Sequence, residues 1–229
     1  MRVAAIVPAA GAGKRLKSKT PKAFVNVQGK PLLIRALRAL GRGGKFHEFV
    51  VVVAKNEVAS ATRLLRRFRV RKFKVVPGGA TRAESVWKGL QAVSKGSDWI
   101  LVHDAARPLV SKDLVVGLLK AAKLTGGAIC GMPIQATVKR VNLKSRIIEK
   151  TEDRAELYLA QTPQVFRKDL LIARYQKLGR SAFTGTDEAA LFDGTSVNVR
   201  MVLGDSRNIK VTVPEDLALL EYLLLRGKR

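Results

Sequence analysis

Cysteine is nearly absent from this 229-residue chain: Cys130 is the only one, so no internal disulfide can close. It lies in an apolar, glycine-rich run, the setting of a buried thiol rather than a nucleophile. Histidine is almost as scarce, and His47 and His103 are too few and too scattered for a zinc cluster. Aromatic residues make up only 6%, and no RNA-binding aromatic signature, zinc-finger spacing or helix-turn-helix spacing is found. No apolar run approaches the roughly 20 residues that cross a bilayer. The N-terminus enters a strand directly, without the h-region of a signal peptide. These absences lead us to expect a cytoplasmic protein with no membrane partner.

Acidic residues are also in short supply, 18 against 43 Lys plus Arg, for a net charge of +25. A clustered surplus of that size points to nucleic acid. Here the cations are spread along the chain, and the densest run, Arg63 to Lys74, interleaves them with apolar residues as a solvated helix face does. We expect no specific nucleic-acid partner, only nonspecific association at low salt. What the chain has in quantity is a core: 47% hydrophobic residues, in short runs, enough for one α/β domain over 1–229.

The most informative stretch is the first. Val3 to Val7 reads as a buried strand; the chain then breaks at Pro8 into Ala9, Ala10, Gly11 and Gly13, and resumes with Lys14, Arg15, Lys17, Lys19 and Lys22. Small residues let backbone approach a ligand, and free amides in such a turn form an anion nest. A strand opening into a small, cationic loop suits a polyphosphate, although a plain structural turn at Gly11–Gly13 fits the loop alone. It is not a Walker loop, because Pro8 stands where the first Gly belongs and Arg15 where Ser or Thr belongs. It is not a dinucleotide fingerprint, because Leu16 replaces the third Gly.

Apolar runs and amphipathic segments alternate thereafter. Helices are expected at Pro31–Leu40, at Glu57–Phe68 with Asn56 as cap, at Leu170–Leu178, in a short piece at Asp187–Phe192, and from Thr212 on. The last would turn Leu217, Leu220, Leu223 and Leu224 inward before ending in Arg226-Gly-Lys-Arg. Strands are expected at Phe49–Val53, Lys72–Val76, Trp99–Val102, Gly127–Pro133 and Val197–Leu203. The pattern predicts a Rossmann-like, mostly parallel sheet with helices on both faces. Thr81 and Glu84 have capping-box spacing, so a helix starts after the third strand. That turn is either a capped helix start only, or one that also presents Arg82 and Ser85 to a nucleotide. Asp104, just past the fourth strand, is placed to hold Mg²⁺ beside a triphosphate; pairing with Arg107 is the other, compatible reading. Ile134 to Arg154 alternates loosely around a turn at Asn142–Ser145 and predicts a hairpin too polar on one side to be core.

Val7-Pro-Ala-Ala-Gly-x-Gly-x-Arg15, Pro21-Lys22 and Gly29-Lys-Pro-Leu32 together resemble the signature of sugar-nucleotide pyrophosphorylases and cytidylyltransferases. Val102-His-Asp-Ala-Ala-Arg-Pro108, Leu159-Ala-Gln-Thr-Pro-Gln164, Gly185-Thr-Asp-Glu-Ala189 and Asn208-Ile-Lys-Val-Thr212 follow in order. With them the resemblance narrows to the 2-C-methyl-D-erythritol 4-phosphate cytidylyltransferase family of the non-mevalonate isoprenoid pathway, and it spans almost the whole chain.

That resemblance implies CMP transfer from CTP to a polyol phosphate, with Mg²⁺ as cofactor. Arg15 and Lys22 would neutralise the α-phosphate and leaving group, and Ala9, Ala10, Gly11 and Gly13 would cradle the triphosphate. Gly79, Arg82 and Ser85 would face the nucleoside, with Asp104 and Ala105 at the metal and phosphates. Arg154 and Lys210 would hold the substrate phosphate as further catalytic groups, with Arg107, Thr137, Thr162 and Thr186 around the polyol. Residues 134–154 would be a β-arm reaching a second subunit, which implies a homodimer; a hairpin lying on its own domain fits the residues as well. Two positions depart from the family pattern: Ala80 where an acid is common, so that a carboxylate contact to the nucleotide would be missing or a backbone amide would replace it, and Ala23 where Gln is usual. A ribitol-5-phosphate cytidylyltransferase and a non-catalytic nucleic-acid-binding protein of nucleotide fold are the rival readings.

Overall fold

In a computed structural model, residues 1–11, 13–18 and 20–226 are described; Lys19 and the terminal Gly227-Lys-Arg lie outside them, as does the Lys14 side chain. The chain opens with β1 (Val3–Pro8), the short pair β2 (Asn26–Val27) and β3 (Lys30–Pro31), and helix α1 (Leu32–Gly43). There follow β4 (Glu48–Val53), α2 (Val58–Arg67), β5 (Phe73–Pro77), α3 (Arg82–Ala92), β6 (Trp99–Val102) and α4 (Lys112–Thr125). The second half adds β7 (Gly127–Pro133), the hairpin β8 (Val138–Val141) and β9 (Ile148–Glu152), β10 (Tyr158–Arg167), α5 (Lys168–Leu178), β11 (Val199–Leu203) and α6 (Pro214–Arg226).

Seven strands form one sheet in the order β11-β7-β10-β6-β1-β4-β5. Every pairing is parallel except those of β10, which runs antiparallel to β6 and β7. β1 shows why its apolar run is continuous rather than alternating: both faces are covered. Val3, Ala5 and Val7 join the core with Leu33, Leu37, Leu65 and Leu118, from α1, α2 and α4. Ala4 and Ile6 join the opposite core with Val86, Leu90 and Leu171, from α3 and α5. The mostly parallel α/β sandwich expected from the alternation is therefore the fold.

Three features differ from the sequence-based reading. The stretch Leu159–Gln164 is part of a ten-residue strand, β10, buried from Gln161 to Phe166, with a register shift between Gln161 and Gln164 and a cis Thr162–Pro163 peptide. Its polar side chains tolerate the core because each is hydrogen-bonded, as Gln164 is to Asp187, Glu188 and Ala189. Asn56 does not cap α2; residues Lys55–Glu57 form a 3₁₀ turn, closed by the Glu57 amide on Ala54 O, which delivers the chain into the helix. In place of a helix from Asp187, the segment before β11 has a 3₁₀ turn at Ala189–Phe192, after an earlier one at Gly179–Thr184. The β8–β9 hairpin is present, paired antiparallel from Val138 opposite Glu152 to Val141 opposite Ile148, and is separate from the main sheet. On α6, Leu220 is buried and Leu217, Leu223 and Leu224 are half-buried. Among the described residues no helix is long and apolar enough to cross a membrane.

Candidate active site

A cavity of about 390 Å³ opens where the chain leaves β1, β5 and β6, the C-terminal edge at which open α/β sheets bind ligands. Its floor is the loop after β1, with Ala9, Ala10, Gly11 and Gly13 on the lining. The Ala9 amide is not free for a phosphate, since it donates to Val52 O at 2.7 Å. Gly13 has φ +63°, and a Cβ there would stand 2.7 Å from the Cβ of Lys22. Only glycine lets the loop fold so closely over that lysine. Arg15 sits in a 3₁₀ turn closed by the Leu16 amide on Gly13 O at 2.8 Å. Leu16 is buried with Val27, Leu32, Val211 and Leu220, and this small core anchors the exposed Arg15 at the mouth.

Lys22 opens the next 3₁₀ turn, Lys22–Phe24, whose Phe24 amide closes on Pro21 O. It lines the cavity together with Arg15 and Lys210. Burial, then the charges of Lys210 and Arg15, lower the Lys22 ammonium from its usual range, while Asp104 pulls it back up. Burial is the larger cause; the part that comes from Lys210 and Arg15 reflects cations that an anion in the cavity would relieve.

The opposite wall is the start of α3. Thr81 caps it, its Oγ1 accepting from the Glu84 amide at 3.1 Å. The Ala80 amide donates to Glu84 Oε2 at 2.7 Å, so it is not free to meet a nucleotide. Ser85 is committed too: its hydroxyl accepts from the Gly79 amide at 3.0 Å and donates to Thr81 O at 2.9 Å. Gly79, Arg82 and Ser85 all line the cavity. A Cβ on neighbouring Gly78 would come within 2.8 Å of both Ala10 and Ser85, so this glycine permits the two walls to meet.

Asp104 is the centre of charge. It is 6% exposed and lines the cavity. The expected Arg107 partner is wrong: Asp104 Oδ1 accepts from Arg82 Nε at 3.0 Å, and Oδ2 meets Lys210 Nζ at 2.7 Å. Burial by itself would push this carboxyl up, but Arg82 and Lys210 outweigh it and hold the group well below the usual carboxylate range. Behind it runs a neutral relay. The Asp104 amide donates to Thr162 Oγ1 at 3.0 Å, the Thr162 hydroxyl lies 3.1 Å from His103 Nδ1, and His103 Nε2 lies 2.9 Å from Arg107 O. The threonine therefore donates to Nδ1 and the imidazole donates from Nε2. Complete burial lowers His103 to about 4 and keeps it neutral.

Ten of the residues singled out in the sequence thus share this cavity with Lys210. Six others do not. Ala105 is buried, its amide on Pro8 O. Arg107 lies behind the wall and donates to Asn208 O at 2.7 Å, and Thr162 is part of the buried relay. Thr137 and Arg154 are exposed on and beside the hairpin, and Arg154 donates to Gln135 O. Thr186 is exposed in the loop before β11. Sequence reasoning missed Ala106 and Thr212, which line the cavity, and the fully buried Glu188 behind Arg82. The Gly185–Ala189 motif was the available signal for Glu188, but nothing in it shows that an arginine over a hundred residues earlier lies opposite. Asp104 is the one carboxylate among the described residues that line the cavity, and in this fold Arg82 holds its Oδ1 and Lys210 its Oδ2, so a metal there would depend on nucleotide phosphates for most of its ligands. Asp104 is an ionised carboxylate on the cavity wall, and no cluster of three His, Cys, Asp or Glu is found among the described residues.

Comparison with known proteins gives a consistent result. The sequence profile of the IspD family, described as 2-C-methyl-D-erythritol 4-phosphate cytidylyltransferase, matches residues 3–226. An enzyme of that name from Caldanaerobacter subterraneus is 36% identical over 98% of this chain and 99% of its own. Another, from Mannheimia succiniciproducens, is 39% identical over 98% and 96%. The chain also matches 57% of the length of a bifunctional IspD/IspF enzyme from Desulfotalea psychrophila at 38% identity. Among solved structures, the 4-diphosphocytidyl-2C-methyl-D-erythritol synthase of Anaerococcus prevotii superposes with a TM-score of 0.86 at 29% identity, covering 98% of this chain and 96% of that one.

Proposed function

The chain belongs to the IspD family, and from that premise we propose how this cavity transfers CMP from CTP to 2-C-methyl-D-erythritol 4-phosphate. The products are 4-diphosphocytidyl-2-C-methyl-D-erythritol and pyrophosphate. The carrying observation is the convergence of Arg15, Lys22 and Lys210 on one cavity at the sheet's C-terminal edge, facing the small-residue loop.

A phosphate oxygen of the substrate attacks the α-phosphorus in line, the bond to the bridging oxygen breaks, and pyrophosphate carries away the electron pair. The nucleophile is already an anion, so no general base is needed. The work is positioning and charge stabilisation. Ala10, Gly11 and Gly13 let backbone approach the triphosphate; Arg15 and Lys22 take up the charge that grows on the α-phosphate and leaving group. The turn Gly79–Ser85 holds the nucleoside end. Lys210, tethered by Asp104, is half-exposed at the wall and can turn to the incoming phosphate. Mg²⁺ held by Asp104 would supply further neutralisation of the triphosphate.

Arg154 and Thr137 belong to this reading through a second subunit. Both are exposed and outside their own cavity. The hairpin displays Leu143 at 84% and Ile147 at 65% exposure, and an isolated two-stranded hairpin is marginal in water. A homodimer in which the arm crosses to the partner's cavity gives those residues cover and brings the polyol-phosphate groups to the nucleotide. In a cytoplasmic setting, both substrates are available as soluble anions.

The test is pyrophosphate release with CTP and Mg²⁺, comparing 2-C-methyl-D-erythritol 4-phosphate with ribitol 5-phosphate. Release with the first alone is expected. Release with the second alone would retain the mechanism and overturn the substrate.

A further inference from the structure

The most deeply buried acid beside the cavity has no part in the transfer step as described. Glu188, in the loop between α5 and β11, is 0% exposed, and an unpaired carboxylate in that position would be strongly unfavourable. It is paired with Arg82 through three contacts. Glu188 Oε1 accepts from Arg82 Nη1 at 2.9 Å, and Oε2 accepts from Nη1 and Nη2, each at 3.1 Å. The third nitrogen of the guanidinium, Nε, donates to Asp104 Oδ1. Asp104 Oδ2 then meets Lys210. Charge alternates along Glu188–Arg82–Asp104–Lys210, from the interior to the cavity wall.

The inner end of this line is fixed. Gln164 on β10, itself 0% exposed, accepts the amides of Glu188 and Ala189 at 3.2 and 3.3 Å and donates to Asp187 Oδ2 at 2.8 Å. The Glu188 backbone is therefore held by the sheet, and its side chain by Arg82. Burial pushes its carboxyl up while Arg82 pulls it down; Arg82 in turn is raised, because Glu188 and Asp104 outweigh its own burial.

A guanidinium offers a planar fork of donors, and a carboxylate left alone with it takes two of them. Glu188 takes the end-on face, bonding both terminal nitrogens, and so fixes the plane and rotation of the guanidinium, in which Asp104 receives a bond from Nε alone. We propose that Glu188 is a positioning residue for nucleotidyl transfer: it restricts Arg82 to one bond with Asp104, leaving the second carboxylate oxygen to hold Lys210 at the wall. This rests on the function proposed above. Without Glu188, Arg82 swings its terminal nitrogens toward Asp104 and displaces Lys210 from Oδ2.

The test is a double-mutant cycle read by CTP affinity and by kcat/KM for pyrophosphate release. Glu188→Gln keeps the shape and removes the charge; Glu188→Asp keeps the charge and shortens the reach, and it serves if the first variant folds poorly. Each is made in the wild-type chain and in Lys210→Met. In the wild-type background a loss of roughly tenfold is expected in one or both readouts, shrinking to under about twofold once Lys210 is gone. Equal fold-losses in both backgrounds would show a general structural role and overturn the proposal. CTP affinity reports the coupling without turnover. Absence of pyrophosphate release from the wild type would overturn the reading of the function, whereas additive losses in an active enzyme would overturn only the role of Glu188.

Discussion

The cavity rim and the β8–β9 arm are built in opposite ways. At the rim, groups from five distant segments are locked by buried hydrogen bonds and ion pairs: Gln164, Glu188, Arg82, Asp104 and Lys210 succeed one another without a gap. On the arm, ion pairs such as Arg140–Glu152 are solvent-facing, with the arginine 65% exposed, and no residue from Val138 to Glu152 is buried. Exposed pairs of this kind contribute about 0–1 kcal/mol. The rim is preorganised by its own fold, as electrostatic catalysis requires. The arm that carries Arg154 and Thr137 is held by its own β8–β9 ladder and by solvent-facing bonds, without a buried core. In the proposed dimer, one half of the site is a property of the chain and the other half a property of the assembly.

The largest expected effects remove one cation from each half. Lys22→Met and Arg154→Met should each lower kcat for pyrophosphate release by about 10²–10³-fold, the scale for one lost transition-state contact. An Arg154 variant with full activity would sever the arm from the chemistry. Lys22→Arg should keep activity and flatten the alkaline side of CTP binding. Burial lowers Lys22 below the usual lysine range, so wild-type affinity should begin to fall at a lower pH than an ordinary lysine would give. Titrations from pH 7 to 10 decide this.

Next in size is a pH effect confined to the rim. His103 is lowered to about 4 in the fold and stands near 6.5 in the unfolded chain. Between those values the unfolded state binds the extra proton, so stability is fully present above pH 6.5 and declines as pH falls toward 4. The loss amounts to about 3 kcal/mol. Denaturant unfolding across that window should show a slope that His103→Gln removes and that arm substitutions leave in place. The smallest effect is expected at the arm tip: Leu143→Ser should change monomer stability by less than about 0.5 kcal/mol, whereas Ile6→Ala in the β1 core should cost about 2–5 kcal/mol.

Local patterns in both halves can be read from the sequence, and contacts between distant segments cannot. β1, its small-residue loop and the Thr81 cap are local patterns, and each is present in the fold. The hairpin was equally plain, since alternation and an Asn142 turn are local as well. What escaped depended on contacts between distant segments. β10 was hidden because Gln161, Thr162 and Gln164 look like loop residues until their partners are known. Arg107, three residues away, is the partner that local spacing offers Asp104 as an alternative to a metal, whereas its partners in the fold are Arg82 and Lys210. Glu188 could not be separated from the other acids, since its role lies in an arginine 106 residues distant. Asn56 was credited with a cap because the 3₁₀ turn before α2 leaves no mark in a propensity pattern.

The division of the site between two chains is tested most directly by mixing the two inactive variants. Lys22→Met and Arg154→Met chains, combined in equal amounts under conditions that exchange subunits, should form mixed dimers in which one of the two sites is intact. Pyrophosphate release should then recover to about a quarter of the wild-type rate. Exchange without any recovery would show that both residues act within one chain, and would contradict the account.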